Sequence, residues 1–175
     1  LGGNAKEYQA MGKSLSRRGY RLEEQIKLFR QLWSRDRVSS SLAEERFEGV
    51  GISPRPNGEA IPIWIGVSPE PPVRALERIG RSADGWFTMC RVDQFESQHK
   101  VVLESVKRSG RSISDIGVEA EVSIANLVPE NFISLVKRWQ DLGVSHISLS
   151  TLGLEEGDSS SHLKVLAKAL ELLGK

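Results

Sequence analysis

The stretch Ile61–Val67, with the sequence IPIWIGV, is a nearly continuous apolar run. A run of this length and composition predicts a β-strand that is covered on both faces, as strands of a parallel sheet are. Directly after it, Pro71 and Pro72 suit the start of a helix, and Gly80 is placed to end that helix. The stretch therefore predicts one β-strand followed by one α-helix.

The same order repeats three more times along the chain. Further strands are predicted at residues 85–90, 116–125 and 144–151, and each precedes a helical spacing of apolar residues. Asp93 is a good N-cap for the second helix of the series. The last helix carries four leucines on the side expected to be buried: Leu163, Leu166, Leu170 and Leu173. Strands and helices that alternate at this spacing predict right-handed crossovers and a parallel sheet.

The first 60 residues are organised differently. Residues 1–34 read as a loop and a helix, with Ser16 as a possible cap and a helical face that ends at Trp33. Residues 35–60 are rich in Ser, Gly and Pro and predict a long irregular connection, with at most a short strand near Phe47–Ile52. Connections of this length in compact domains are often functional.

The predicted fold class is α/β, with parallel (β/α) units that make up half of a TIM (β/α)8 barrel. A whole barrel needs eight strands and about 250 residues, and residues 61–175 supply four β-α units. Rossmann and P-loop glycine motifs are absent from the sequence, which disfavours a nucleotide-binding doubly wound sheet. We therefore expect residues 1–175 to form a single partial-barrel domain.

Composition narrows the classes of partner. The net charge is +1 and the charges are interspersed, so no basic stripe indicates a nucleic-acid partner. No apolar run approaches the ~20 residues of a membrane span, and we expect a cytoplasmic location. The single cysteine, Cys90, excludes an internal disulfide, and the three dispersed histidines predict no metal site. A Gly-x-Ser-x-Gly elbow is also absent, so hydrolase chemistry has no support.

Several motifs, taken in order, resemble one family of barrel enzymes. They are Gly2-Gly3-Asn4, the helix Arg18–Gln25, the strand Ile61–Gly66, Asp84-Gly85-Trp86 and the stretch His146–Thr151. Together they are similar to the C-terminal half of the bacterial luciferase-like monooxygenases, which are flavin- or deazaflavin-dependent oxidoreductases. The resemblance implies redox chemistry on a small organic substrate with reduced FMN or the deazaflavin coenzyme F-420.

The resemblance also implies that the first strands of the barrel lie before Leu1, so we expect the chain alone to be inactive. An alternative is a non-catalytic, truncated half-barrel that self-associates, for example as a homodimer, through its open sheet edges. A third interpretation is a phosphate-binding barrel of another kind, for which Gly153 and Gly157 offer a thin basis.

Barrel enzymes place their chemistry at the C-terminal ends of the strands. By that rule the cofactor-binding candidates are Gly66, Val67, Ser68 and Thr151. The substrate-binding candidates are Gly3, Cys90 and Arg91. The family has a second glycine where this chain has Val67, and the sequence singles out no catalytic residue. Each candidate also has a structural interpretation: a tight turn after Gly66, an inert buried cysteine, a surface arginine, and a loop that only covers the barrel end at Thr151.

Overall fold

The computed structural model of the chain describes residues 4–42, 45–57, 61–154 and 158–174, without the side chains of Leu42 and Glu45. Its backbone contacts divide the chain into two compact units, Leu1–Ile63 and Trp64–Lys175. Each unit has its own sheet. The expectation that all 175 residues form one partial-barrel domain stays a prediction.

The first unit contains two helices and a β-hairpin. Helix α1 (Ala5–Ala10) begins at Asn4, whose side chain accepts a hydrogen bond from the Lys6 amide. Helix α2 (Arg18–Ser34) begins after Arg17, which has a left-handed backbone conformation and makes no side-chain capping bond. Ser16 is therefore not the cap that the sequence indicated. The predicted helical face is present in α2, with Ile26 as its buried residue.

The segment predicted as an irregular connection contains two strands. Strands β1 (Val38–Leu42) and β2 (Glu45–Val50) pair antiparallel, with Val38 opposite Val50 and Ser40 opposite Phe47. Strand β2 matches the short strand predicted near Phe47. Strand β1 was missed because three of its five residues are serines, which carry little of the β-branched or aromatic signal typical of strands.

The second unit contains four strands that alternate with four helices, plus one short 3-10 turn at Ile113–Asp115. The order is β3 (Trp64–Gly66), α3 (Val73–Ser82), β4 (Gly85–Thr88), α4 (Phe95–Arg108), β5 (Gly117–Ser123), α5 (Pro129–Asp141), β6 (His146–Ser150) and α6 (Ser159–Leu173). The strands are parallel and lie in the order β3-β4-β5-β6. This arrangement confirms the predicted fold class of parallel (β/α) units.

Three local predictions in this unit were wrong. Strand β3 has three residues instead of seven. Gly80 lies inside α3 and not after it, because the helix continues to Ser82. Helix α4 begins after Gln94, so Asp93 is not its N-cap. The three differences concern the bounds of elements whose type and order the sequence predicted.

One face of the four-stranded sheet forms the core. Trp86, Val118, Ala120 and Val122 are buried there together with apolar residues of helices α3 to α6. Helix α6 joins this core through Ala169, with Val165, Leu166 and Leu172 packed against it, so only one of the four predicted leucines contacts the core. Leu163 and Leu170 are 65% and 62% exposed, so part of the apolar pattern of α6 lies outside the core.

Candidate functional site

The strands of the second unit have two chemically different faces. In β5, Val118, Ala120 and Val122 point into the core, whereas the alternating residues Glu119, Glu121 and Ser123 are half-buried or exposed on the opposite face. We call that opposite side the open face. It carries Trp64, Gly66, Phe87, Glu119, Glu121, Ser123, His146, Ser148 and Ser150.

The ring of Trp64 lies on the open face at the N-terminal end of the strands. It covers Gly85 and Gly117, the neighbouring residues on β4 and β5, and a Cβ atom on either glycine would overlap the indole. The edge of the ring also meets His146, with 5.1 Å between ring centroids. Both positions therefore require glycine, because the indole occupies the space of a side chain. The indole covers the open face at the N-terminal ends of β4 and β5.

A row of neighbouring residues crosses the open face from β3 to β6. The register places Gly66 beside Phe87, Phe87 beside Glu119 and Glu119 beside His146. Toward the C-terminal ends, Glu121 lies beside Ser148, and Ser123 lies beside Ser150. The open face therefore has an aromatic side at β3 and β4 and a polar side at β5 and β6.

This alternation was visible in the sequence GVEAEVS of β5, but it was not used to choose candidate residues. Carboxylates at every second position of a barrel strand indicate a polar interior face, because the other face must pack against helices. No candidate was chosen at the end of β5, although this strand lies between β4 and β6, whose ends both supplied candidates.

Gly66 has an uncovered backbone on the open face. The residue is exposed, and no other heavy atom lies within 4 Å of the place where a Cβ would stand. Its neighbour Phe87 is 39% exposed and faces the same side. The following loop is held by Gln98, whose side-chain amide donates to the carbonyl oxygen of Pro69 at 2.8 Å. An aromatic surface beside an uncovered backbone can accommodate a planar ring.

The side chains of the other candidates after β3 and β4 differ in their exposure to solvent. Val67 and Cys90 are only 8% and 7% exposed, and both side chains belong to the core. The Cys90 sulfur lies 2.9 Å from the Thr88 hydroxyl oxygen. Ser68 follows the end of β3 and is exposed. For Val67 and Cys90, therefore, backbone atoms and not side chains are available to a ligand at the C-terminal strand ends.

Arg91 is an exposed residue that is paired with its neighbour Asp93. The Arg91 Nε donates to Asp93 Oδ1 at 3.2 Å. The pKa of Asp93 is lowered by a hydrogen bond from its own backbone amide and, in addition, by the Arg91 guanidinium. A phosphate or carboxylate ligand would have to compete with Asp93 for this guanidinium. Gly3, the remaining substrate candidate, lies outside the described residues.

Thr151 follows β6 at the opposite edge of the sheet. Its hydroxyl oxygen lies 2.7 Å from Nδ1 of His162 in the first turn of α6. The sequence pattern around His162 indicated no metal site and assigned this residue no other role. Its position in the first turn of the helix after a barrel strand was the signal that could have identified it. His99 lies within α4, and His146 begins β6 at the N-terminal end of that strand.

The candidate cofactor contacts fall into two groups at the same end of the sheet. Gly66 and Ser68 lie at β3 and Thr151 lies at β6, with β4 and β5 between them. Three strand spacings amount to about 14 Å along the sheet. A ligand in contact with both groups must therefore be elongated. Within the described ranges, His, Cys, Asp and Glu form no group of three or more suited to a metal ion, and no described helix is long and apolar enough to cross a membrane.

Comparison with known proteins gives one match at the level of a family. The model of the luciferase-like monooxygenase family matches residues 1–126. Among curated proteins, the F420-dependent glucose-6-phosphate dehydrogenase of Mycobacterium leprae (strain Br4923) is 28% identical over 146 residues. The match covers 81% of this chain and 42% of the relative, so the chain spans less than half the length of that protein.

Two solved structures resemble the fold at low sequence identity. An F420-dependent secondary alcohol dehydrogenase, in complex with an F420-acetone adduct, has a TM-score of 0.67 at 14% identity, over 81% of this chain and 59% of that structure. The coenzyme F420 dependent tetrahydromethanopterin reductase from Methanopyrus kandleri has a TM-score of 0.69 at 14% identity, over 99% of this chain and 70% of that structure. These likenesses support the barrel-type fold.

Proposed function

Because the chain belongs to the luciferase-like monooxygenase family, we propose that it binds a deazaflavin cofactor as part of an oxidoreductase acting on a small organic substrate. The observation that carries this proposal is the uncovered backbone of Gly66 beside the exposed face of Phe87. The names of the relative and of both similar structures include coenzyme F420, which favours the deazaflavin over FMN.

The residues of the open face fit such a cofactor. The flat surface at Gly66 and Phe87 suits the ring system, because stacking on an aromatic face needs an uncovered approach from one side. The distance between Ser68 and Thr151, three strands apart, suits an elongated molecule with a ring and a polar tail. When bound, the deazaflavin would accept and donate hydride. FMN, in its place, would supply oxygen activation.

In this proposal the residues of the chain position the cofactor and provide the groups that hydrogen-bond to it. Gly66 and Phe87 receive the ring, while the hydroxyls of Ser68 and Thr151 hydrogen-bond to the polar groups of the cofactor. Arg91 is available at the rim for an acidic part of substrate or cofactor, provided that it exchanges its partner Asp93. A cytoplasmic location remains a prediction.

A titration of the purified chain tests the proposal. We expect saturable quenching of the fluorescence of oxidised coenzyme F-420 at micromolar concentrations, and weaker binding of FMN. The Gly66→Val variant should weaken binding by at least about tenfold, because its side chain would occupy space that the ring needs. It should leave the unfolding midpoint nearly unchanged, since no protein atom surrounds that space.

Val67→Ala provides the matched control for this titration. The Val67 side chain lies in the core, so its truncation should cost about 1–3 kcal/mol of stability and leave the affinity of the folded protein intact. Equal affinity of the Gly66→Val variant and the unaltered chain would contradict the proposed ring site. Tighter binding of FMN than of the deazaflavin would reassign the cofactor.

A second candidate function is self-association of a non-catalytic half-barrel. Strands β3 and β6 are the outer strands of the four-stranded sheet, and each pairs on one side only among the described residues. Unpaired strand edges recruit partners. This candidate predicts a dimer without affinity for either cofactor, which the same titration distinguishes from the first proposal.

A further inference from the structure

The hydrogen bond between Thr151 and His162 connects the end of the last strand to the helix that follows it. We infer that His162 is a positioning residue, which fixes whether the Thr151 hydroxyl donates or accepts a hydrogen bond toward the bound cofactor. This inference rests on the proposed function, in which Thr151 is one of the cofactor contacts. It adds a residue that the strand-end rule did not select, because His162 is in a helix and not at a strand end.

Both members of the pair are held in place by their surroundings. The preceding residue, Ser150, accepts a hydrogen bond on its carbonyl from the Ile124 amide at 2.8 Å, which anchors the end of β6 to the chain after β5. The Thr151 carbonyl accepts from the Leu154 amide at 3.2 Å, across a turn in which Gly153 has a φ of 91°. The Thr151 backbone is thus fixed on both sides.

His162 is fixed by the start of helix α6. Asp158 caps this helix, and its Oδ1 accepts from both the amide and the hydroxyl of Ser161, at 2.9 and 3.1 Å. The carboxylate of Asp158 is therefore engaged with Ser161. The hydrogen bond recorded for the imidazole is the one to Thr151, at 2.7 Å and half-buried.

The bond matters because a hydroxyl group has one proton and two lone pairs. If Thr151 donates its proton to Nδ1, the oxygen can only accept hydrogen bonds from a ligand. If Nδ1 carries a proton and donates it, the Thr151 hydroxyl can donate to a carbonyl or phosphate oxygen of the ligand. In both cases the imidazole decides whether the hydroxyl acts as a hydrogen-bond donor or acceptor toward the ligand. A hydroxyl without this partner rotates freely, and the cost of ordering it on binding weakens the affinity for the ligand.

The test compares variants of the 175-residue chain by titration with oxidised coenzyme F-420. The His162→Leu variant removes the hydrogen bond at similar side-chain size, and we expect its dissociation constant to rise about 3- to 10-fold. The His162→Asn variant can place an amide atom near the position of Nδ1, so its constant should stay within about twofold of the unaltered chain. Rescue by asparagine is not expected if the histidine serves only to fill space.

Variants of Thr151 complete the comparison. Thr151→Val removes the hydroxyl at constant shape and should weaken binding as much as His162→Leu. The double variant should be no weaker than Thr151→Val alone, because the histidine acts through the hydroxyl. Unfolding midpoints of all variants, measured in parallel, show whether a change of affinity merely follows a loss of folded protein.

The outcomes separate this inference from the proposed function. If the unaltered chain binds neither F-420 nor FMN, the proposed function fails and the inference fails with it. If the unaltered chain binds F-420 but His162→Leu binds equally well, only the inference is overturned. Additive effects of the two substitutions would also overturn it, since they would mean that the two residues act independently.

Discussion

At the residue scale, the imidazole of His99 is the clearest example of a polar group held in an apolar place. It stacks on Phe95, with 4.9 Å between centroids, and Phe95 in turn contacts Trp139 edge to face at 5.3 Å. Its Nδ1 is buried without a hydrogen-bond partner among the described residues. Burial lowers the pKa of His99 below its usual value of 6.5, because the charged form would be poorly solvated.

The lowered pKa of His99 predicts that stability falls with decreasing pH. Between the ordinary pKa of the unfolded chain and the lower pKa of the folded protein, the unfolded chain binds more protons. The free energy of unfolding should therefore decrease as the pH falls below about 6.5, and the loss should be complete once His99 titrates in the folded protein. Urea unfolding between pH 7.5 and 5 measures this slope.

Substitution of His99 isolates its share of the pH dependence. The His99→Gln variant should show a shallower loss of stability over this pH range, since the amide does not titrate. Lys100→Gln is the matched control, because Lys100 is an exposed residue of the same helix, and it should retain the slope of the unaltered chain. An unchanged slope in His99→Gln would show that burial of this imidazole does not contribute.

At the scale of the elements, helices α3 and α4 approach each other closely at Gly80. A Cβ on Gly80 would stand 2.6 Å from the Ser105 Cβ and 2.7 Å from the Val102 carbonyl oxygen. The Ser105 hydroxyl donates to the Glu77 carbonyl oxygen at 2.7 Å across the same contact. The glycine is therefore a packing residue of a helix pair, which explains why it lies inside α3 and does not end it.

The close approach predicts a specific cost for Gly80→Ala. The methyl group must push the two helices apart, and we expect a loss of about 1–3 kcal/mol in the free energy of unfolding, as for other overpacked cores. Alanine is otherwise favoured over glycine in a helix, so the sign of the change tests the contact. Arg74→Ala, on the exposed part of α3, should change stability by less than about 0.5 kcal/mol. A stabilised Gly80→Ala variant would refute the close contact.

At the scale of the whole molecule, the second unit leaves apolar surface and strand edges uncovered. Strand β6 is an outer strand, and the helix that follows it exposes Leu163 and Leu170. A four-stranded parallel sheet of this kind has the number of strands that two copies would need for a closed eight-stranded barrel. The exposed leucines of α6 are therefore candidates for the surface of such an assembly.

Sedimentation of the chain tests this assembly. The second candidate function predicts a concentration-dependent dimer at tens of micromolar, and a shift toward monomer for the double variant Leu163→Glu, Leu170→Glu, because charged groups are costly to bury without partners. Lys164→Glu, at an exposed position of the same helix, changes the net charge by the same two units and should leave the dimer intact. A chain that is monomeric at every concentration would exclude self-association as its function.

The amino-acid sequence by itself determined the order of the elements in the second unit and the parallel sheet. Apolar runs such as Ile61–Val67, followed by helical spacing, are local signals, and a parallel sheet is the arrangement that buries them. The resemblance to the family also followed from short motifs in order, and the family match confirms it. The boundaries were less accurate, because caps and strand ends depend on contacts beyond the local sequence.

The tertiary structure alone decided which strand-end residues face a ligand. Successive residues in a strand point to opposite faces, so Gly66 lies on the open face while its neighbour Val67 is in the core. A sequence-based strand boundary with an error of one residue cannot make that distinction. The contact between Thr151 and His162 likewise joins residues separated by eleven positions. Such pairs are fixed by the packing of a helix against a sheet, which no local pattern in the sequence encodes.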